Sequence, residues 1–245
     1  MAAIDSGAVQ RALWWLCLFV APALLIGLEL FHPAAFTQHP GMYHYLSHPE
    51  HHQAQYQALD YFGPAWWFLL HMIQTPMVGL VAVGLWLMVA PVGAADGSAA
   101  QVVAWLARIA IFVFAIYFTV LDGIGGIGLG RTMVVLQGMV ADGKLSPTQF
   151  DGAVLLLDTM WVDRFVGGMG SLVSLTASWA AFASALLIAL ALLLSRRASW
   201  ANLAVLVAFG WELQLSHAAP HGPIAFALLI IAAAWMRLRP LNSPS

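Results

Sequence analysis

Apolar residues along the chain fall into six long runs separated by more polar stretches. The runs cover residues 12–31, 65–90, 102–121, 165–194, 201–216 and 224–236. A helix needs about 20 apolar residues to cross a hydrocarbon core of ~30 Å, because each residue advances ~1.5 Å. The first four runs reach this length, and the last two are shorter. The pattern predicts an all-α, polytopic transmembrane bundle of about six spanning helices.

The composition supports one integral-membrane domain over residues 1–245. Apolar residues make up 62% of the chain and charged residues 8%, whereas soluble domains are about 25% charged. We expect the first run to be a retained helix rather than a cleaved signal peptide, since it continues through 24–28 after Ala21-Pro22-Ala23. The net charge of −2 argues against nucleic acid as a partner. The expected partner is the lipid bilayer, and a homo-oligomer or subunits of a larger membrane complex stay open.

Arginine and lysine set the expected orientation, because positive charge concentrates in cytoplasmic loops. With the N-terminus inside, the inner side carries most of the basic residues. We therefore predict a bacterial cytoplasmic-membrane protein with both termini in the cytoplasm. All the histidines then fall outside or in the outer half of the membrane, so the polar chemistry concentrates on the outward face.

The two longest outer loops are each predicted to contain a short helix. Serine followed by proline near a helix start favours helix formation, which places one helix at about 49–61 and another after Ser146-Pro147. In the second, the apolar residues recur at helical spacing, which predicts an amphipathic helix in the interface plane with Asp151 and Asp158 on another face.

The first of these loops is rich in histidine. Its four closely spaced histidines are His44, His48, His51 and His52. Tracts of this composition bind metal in some proteins, and imidazole also titrates near neutral pH. Pro49 interrupts any continuous helix through them, which argues against a rigid shared site.

The segment 123–128, GIGGIG, matches the G-x-G-x-x-G nucleotide fingerprint literally. That fingerprint needs a preceding strand and a helix that begins at the glycines, whereas these glycines follow an apolar helix. We reject a nucleotide site here. Gly126 and Gly130 also form G-x-x-x-G, and we predict either close helix packing or a helix break near Asp122.

Four titratable residues, Glu29, His71, Asp122 and Glu212, interrupt apolar sequence. An ionised side chain at the bilayer centre costs ~2.5–3.5 kcal/mol on insertion scales, so such residues are functional candidates. Glu29 precedes His32 by three residues, which places both on one helix face in the Glu-x-x-His spacing of di-iron carboxylate proteins. Purely structural roles also stay open. Glu29 would then be a helix-end carboxylate, His71 and Glu212 would form interhelical hydrogen bonds, and Asp122 would belong to a turn at the end of its helix.

The stretch SHAAPHGP places His217 and His221 in a short turn stiffened by prolines. Two imidazoles held in few conformations suit metal binding, because less entropy is lost on ordering them. The predicted metal ligands are His32, His71, His217 and His221, and the predicted catalytic carboxylates are Glu29 and Asp122. Imidazole with carboxylate suits Zn, Cu or Fe. A non-covalent haem b held by two histidines stays open.

His71 followed by His217-x-x-x-His221 is similar to the zinc-ligand arrangement of the alkaline ceramidase and adiponectin-receptor superfamily, whose members are seven-helix membrane hydrolases. The likeness covers three residues. Trp67 occupies the position where that family has a serine, no aspartate closely follows His71, and six helices are predicted rather than seven. We therefore assign no family.

These observations favour a metal-binding membrane enzyme with an outward-facing His/carboxylate site. Whether the protein is an enzyme stays open, because two other classes fit the same residues: a transporter or metal-delivery protein, and a non-catalytic subunit of a membrane complex. The chain shows no internal repeat of the kind common in transporters. Metal flux into liposomes would identify a transporter, and stable copurification of partner chains would identify a subunit of a complex.

Overall fold

The computed structural model describes residues 6–32, 42–47 and 63–238, and within these ranges the chain forms helices joined by turns. Two π-helical segments, Leu16–Val20 and Asp122–Gly128, lie within longer helical runs. The described α-helices are α1 Ser6–Trp15, α2 Ala21–Leu30, α3 Met42–Ser47, α4 Gly63–Val89, α5 Ser98–Leu121, α6 Leu129–Ala141, α7 Pro147–Trp161, α8 Leu172–Leu194, α9 Trp200–Leu215 and α10 His221–Leu238.

The prediction of a helical membrane bundle of about six spans is confirmed. Five helical stretches are long and apolar enough to cross a membrane: Gly7–Leu30, Gly63–Val89, Ser98–Ala141, Leu172–Leu194 and His221–Leu238. The fifth predicted helix, α9, has 16 residues, fewer than the ~20 of a full crossing. Large apolar side chains cover the helix surfaces, with Phe112 64% exposed, which favours contact with lipid rather than water.

The third predicted helix is longer than expected. The sequence placed its end at Leu121, whereas the helical run continues from Ser98 through the glycines to Ala141, 44 residues in all. At ~1.5 Å per residue this is roughly 66 Å, longer than one crossing needs. Glycine weakens an isolated helix, but here tertiary contacts hold the segment as a π-helix. Asp122 therefore lies inside a helical run and not at its end.

The helix after Ser146 is confirmed as α7, and its start has the expected chemistry. The Ser146 side chain accepts a hydrogen bond from the Gln149 backbone, and Gln149 Oε1 accepts one from Ser146 N at 2.9 Å, which is a capping box. One expectation was wrong: Asp158, placed on the polar face, is buried. The predicted helix at 49–61 lies outside the described residues, as do His48, His51 and His52.

The fourth predicted span also begins later than expected. The apolar run starts at Phe165, but α8 begins at Leu172. The Asp163 carboxylate accepts hydrogen bonds from the backbone of Phe165 and Val166, which lower the pKa of Asp163. These bonds stabilise turns instead of a helical start, because an Asx side chain competes with the helix for backbone donors.

The chain divides into two compact units. The first contains residues 1–30, 76–116 and 177–245, and the second contains residues 31–75 and 117–176. Three of the four chain positions where the division falls lie inside continuous helices, within α4, α5 and α8.

Close backbone approach characterises the first unit. Helices α9 and α10 form a hairpin, and α10 also packs on α2. Gly210 of α9 lies so near α8 that a Cβ there would be 2.5 Å from the Ala185 Cβ. Small residues allow this spacing, which is how helices associate where lipid provides no hydrophobic drive. The Arg197 guanidinium also donates to Asp96 at 3.0 Å.

Aromatic packing characterises the second unit. Its core is formed by Tyr43, Leu46, Trp67, Leu129, Met133, Val154, Leu157 and Trp161. Trp161 packs edge-on against both Tyr43 and Trp67, with ring centroids 6.0 and 5.9 Å apart. Burial of Tyr43, and then the nearby Asp158 charge, raise the pKa of the phenol. Apolar burial and edge-to-face contacts fix the part of α4 that precedes His71.

Candidate metal site

The π-helical segment Asp122–Gly128 and the start of α6 lie directly against α4. A Cβ at residue 126 would lie 2.1 Å from His71 Cγ, and one at residue 130 would lie 2.7 Å from Trp67 Cδ1. The two glycines and the two ring-bearing residues are each four apart, so the contacts repeat along the helices. The predicted close packing through G-x-x-x-G is confirmed, and it leaves room for the imidazole.

His71 is buried and held in one orientation by its own helix. Its Nδ1 lies 2.7 Å from the carbonyl oxygen of Trp67. A carbonyl oxygen can only accept, so Nδ1 carries the hydrogen and Nε2 carries the lone pair, the atom through which this tautomer binds a metal. Metal-binding histidines commonly donate their second ring N–H to a backbone carbonyl, which orients the ring and raises its basicity.

His32 follows α2 and its ring packs against two rings of α4. It is 4% exposed, and its centroid lies 5.1 Å from Trp67 and 5.4 Å from His71, edge-on in both cases. Trp67 itself is fixed by the 3.0 Å hydrogen bond from Nε1 to the Gly125 carbonyl. The π-helical segment thus supplies the carbonyl oxygen that holds the Trp67 indole in contact with the His32 and His71 rings.

Asp122 connects to α4 through Thr75. The Thr75 hydroxyl lies 2.8 Å from the His71 carbonyl oxygen and 3.2 Å from Asp122 Oδ2. Asp122 is 1% exposed. Asp122 therefore lies in the same compact unit as His71. It is buried, and it contacts α4 at Thr75, one helical turn after His71.

The other two predicted histidines lie at the turn between α9 and α10. His221 Nδ1 is 2.8 Å from Glu212 Oε2, which bridges the end of α9 to the start of α10. A Cβ at residue 222 would collide with the His217 carbonyl, at 1.5 Å. His217 is partly exposed, and the surrounding atoms desolvate the ring enough to lower its pKa to about 4. Its imidazole is therefore neutral near pH 7, the form that binds metal.

Three histidines lie close enough to hold a metal ion: His32, His71 and His217. Each offers one ring nitrogen, and the three nitrogens lie within 4.8 Å of one another. We refer to these residues as the histidine cluster.

The histidine cluster contains three of the six predicted site residues. His221 is instead bonded to Glu212. Glu29 is fully buried on α2, and that helix ends at Leu30, so His32 follows the helix instead of lying on it. The catalytic roles of Glu29 and Asp122 stay predictions.

Sequence reasoning missed the residues that position the cluster. Trp67 provides the carbonyl that orients His71, and Gly126 provides the space for its ring. The available signal was the equal four-residue spacing of Trp67/His71 and Gly126/Gly130. Spacing alone does not indicate which helices pair, so the signal becomes informative only with the tertiary structure.

Comparison of the chain with protein-family models, with curated proteins and with solved structures gave no match.

Proposed function

We propose that this protein is a membrane metalloenzyme whose metal ion is bound by His32, His71 and His217 on the outward side of the membrane. The observation that carries the proposal is the approach of three imidazole nitrogens to within 4.8 Å of one another. Histidine is rare within a membrane bundle and there usually faces a partner or a functional cavity, and a shared metal ion accounts for the convergence of these three rings.

Within the described residues the cluster offers three protein ligands, which fits an enzyme better than a structural metal site. Structural zinc sites use four protein ligands, whereas catalytic sites keep one coordination position for water or substrate. When bound, a zinc ion of this kind lowers the pKa of its water or polarises a substrate oxygen. Imidazole ligands also suit Cu and Fe. Asp122, linked by Thr75 to the helix of His71, is the first candidate general base, and Glu29 is the second.

The ring geometry favours a single metal ion over haem. A haem iron held by two histidines needs the flat porphyrin between the two rings. The His32 ring lies edge-on against His71 and also against Trp67, so these two rings already contact where the porphyrin would lie.

Cobalt substitution tests the proposal in detergent-purified protein. We expect one Co²⁺ per chain with the intense visible absorption of a four-coordinate ion, and a change in that spectrum when azide occupies the open position. The His71→Ala variant should lose this absorption, while His44→Ala, an exposed histidine on α3, should keep it. Wild-type protein that shows only the weak spectrum of hydrated Co²⁺ would refute the metal site.

A further inference from the structure

Gln74 is a buried polar residue three positions after His71 on α4. Its side chain is fully buried in α4. Among the residues that the structure describes, neither Nε2 nor Oε1 of this amide has a hydrogen-bond partner. A buried amide without partners costs free energy, and a membrane-spanning helix offers no bulk water to satisfy it. The amide therefore lacks a partner among the described residues, and a bound ligand would supply one.

The position of Gln74 on its helix places it on the same face as His71. It follows His71 by three residues, so the two share a helix face. Long side chains on a helix lean toward its N-terminus and cover the preceding turn, which here is the turn that contains His71. Leu70 and Val78, also on this face, are buried, so the face lies toward protein and not toward lipid.

Neighbouring polar groups on α4 already have partners. The Thr75 hydroxyl contacts the His71 carbonyl and Asp122, and His71 Nδ1 donates to Trp67. These groups hold the site together. Gln74 differs from them because its amide makes no such contact with the part of the chain that the structure describes.

We propose that Gln74 binds the substrate at the open coordination position of the metal, an inference that rests on the proposed function above. An amide offers N–H donors and one acceptor oxygen. A divalent ion with three neutral histidine ligands attracts an oxygen anion. The matching substrate class is a small oxyacid anion that also carries a hydrogen-bond donor, as hydroxamate and hydrogencarbonate do. The anionic oxygen binds the metal, while the amide donates to a second oxygen and accepts from the ligand's O–H or N–H.

The Gln74→Leu variant tests this assignment, because leucine is similar in volume and has no polar atoms. In the metal-free protein we expect a higher Tm, since the substitution removes a buried amide without partners. In the cobalt-loaded protein we expect acetohydroxamate, titrated by the visible spectrum, to bind at least 10-fold more weakly, while azide affinity changes less than 3-fold. Gln137→Leu, at a partly exposed glutamine on α6, should change neither affinity.

Each result supports or overturns the proposal. A lower Tm for metal-free Gln74→Leu would show that the amide stabilises the fold, and unchanged acetohydroxamate affinity would show that it does not contact the ligand. Either result overturns the assignment. Failure of the proposed metal site can be told apart from failure of the Gln74 assignment alone, because the wild-type protein would then lack the cobalt spectrum. Without that spectrum the Gln74 assignment is also overturned, even if the Tm of Gln74→Leu rises.

Discussion

Replacing Gly126 with alanine is expected to lower the free energy of unfolding by about 3 kcal/mol, the upper end of the cost of overpacking a well-packed core. The new methyl group would lie 2.1 Å from His71 Cγ. The ring has little freedom to move, because Nδ1 is bonded to the Trp67 carbonyl and the ring packs against His32. The same substitution should weaken metal binding ~10–100-fold, the range seen when the groups that orient a ligand are disturbed.

Gly138→Ala is the matched control for this substitution. Gly138 lies on α6 in the same helical run, and a Cβ there meets no atom within 4 Å. Alanine should stabilise the helix by up to about 1 kcal/mol. Reversible SDS unfolding in mixed micelles measures both variants. Equal effects at positions 126 and 138 would contradict the packing of Gly126 against His71.

Asp158→Asn is expected to lower the free energy of unfolding by about 2–3 kcal/mol, as for loss of charge-assisted hydrogen bonds at a buried site. The Asp158 carboxylate accepts from the backbone of Tyr43 at 2.6 Å and of His44 at 3.2 Å, which caps the start of α3 from another helix. An asparagine can accept through one oxygen, and its amide group would face a second N–H donor.

Asp151→Asn is the control for Asp158→Asn, since Asp151 lies on the same helix and is exposed. It should change the unfolding free energy by less than about 0.5 kcal/mol. Hydrogen exchange at the amides of 43 and 44 gives a local measurement. Exchange should accelerate in Asp158→Asn alone, and unchanged exchange there would show that the carboxylate does not hold α3.

The sequence was sufficient for the membrane bundle because hydropathy reports directly on the cost of placing polar backbone and side chains in lipid. It was insufficient for the helix containing Asp122. Glycine propensity predicts a break there, whereas packing on Trp67 and His71 stabilises a π-helix instead. Local propensity is weak beside such tertiary contacts, so this error is the expected kind.

The candidate site could be predicted only in its residue types. Histidines that interrupt apolar sequence are conspicuous, and His32, His71 and His217 were chosen on that basis. The sequence could not show which of His217 and His221 belongs to the histidine cluster, because both lie in one short turn. The distinction depends on Glu212, which bonds His221 from the end of α9. Likewise, the sequence placed Glu29 and His32 on one helix, whereas α2 ends at Leu30, between them.

The ratio of bound metal to protein tests the central claim most directly. Detergent-purified wild-type protein, loaded with Zn²⁺ and freed of excess metal by gel filtration, should contain one zinc per chain by elemental analysis. Alanine at His32, His71 or His217 should reduce metal affinity by about 100-fold or more, which exceeds the effect of disturbing groups that only orient a ligand, and should leave these variants nearly metal-free. His221→Ala and His44→Ala should retain the ion. Stoichiometric zinc in all three cluster variants, or none in the wild type, would contradict the account.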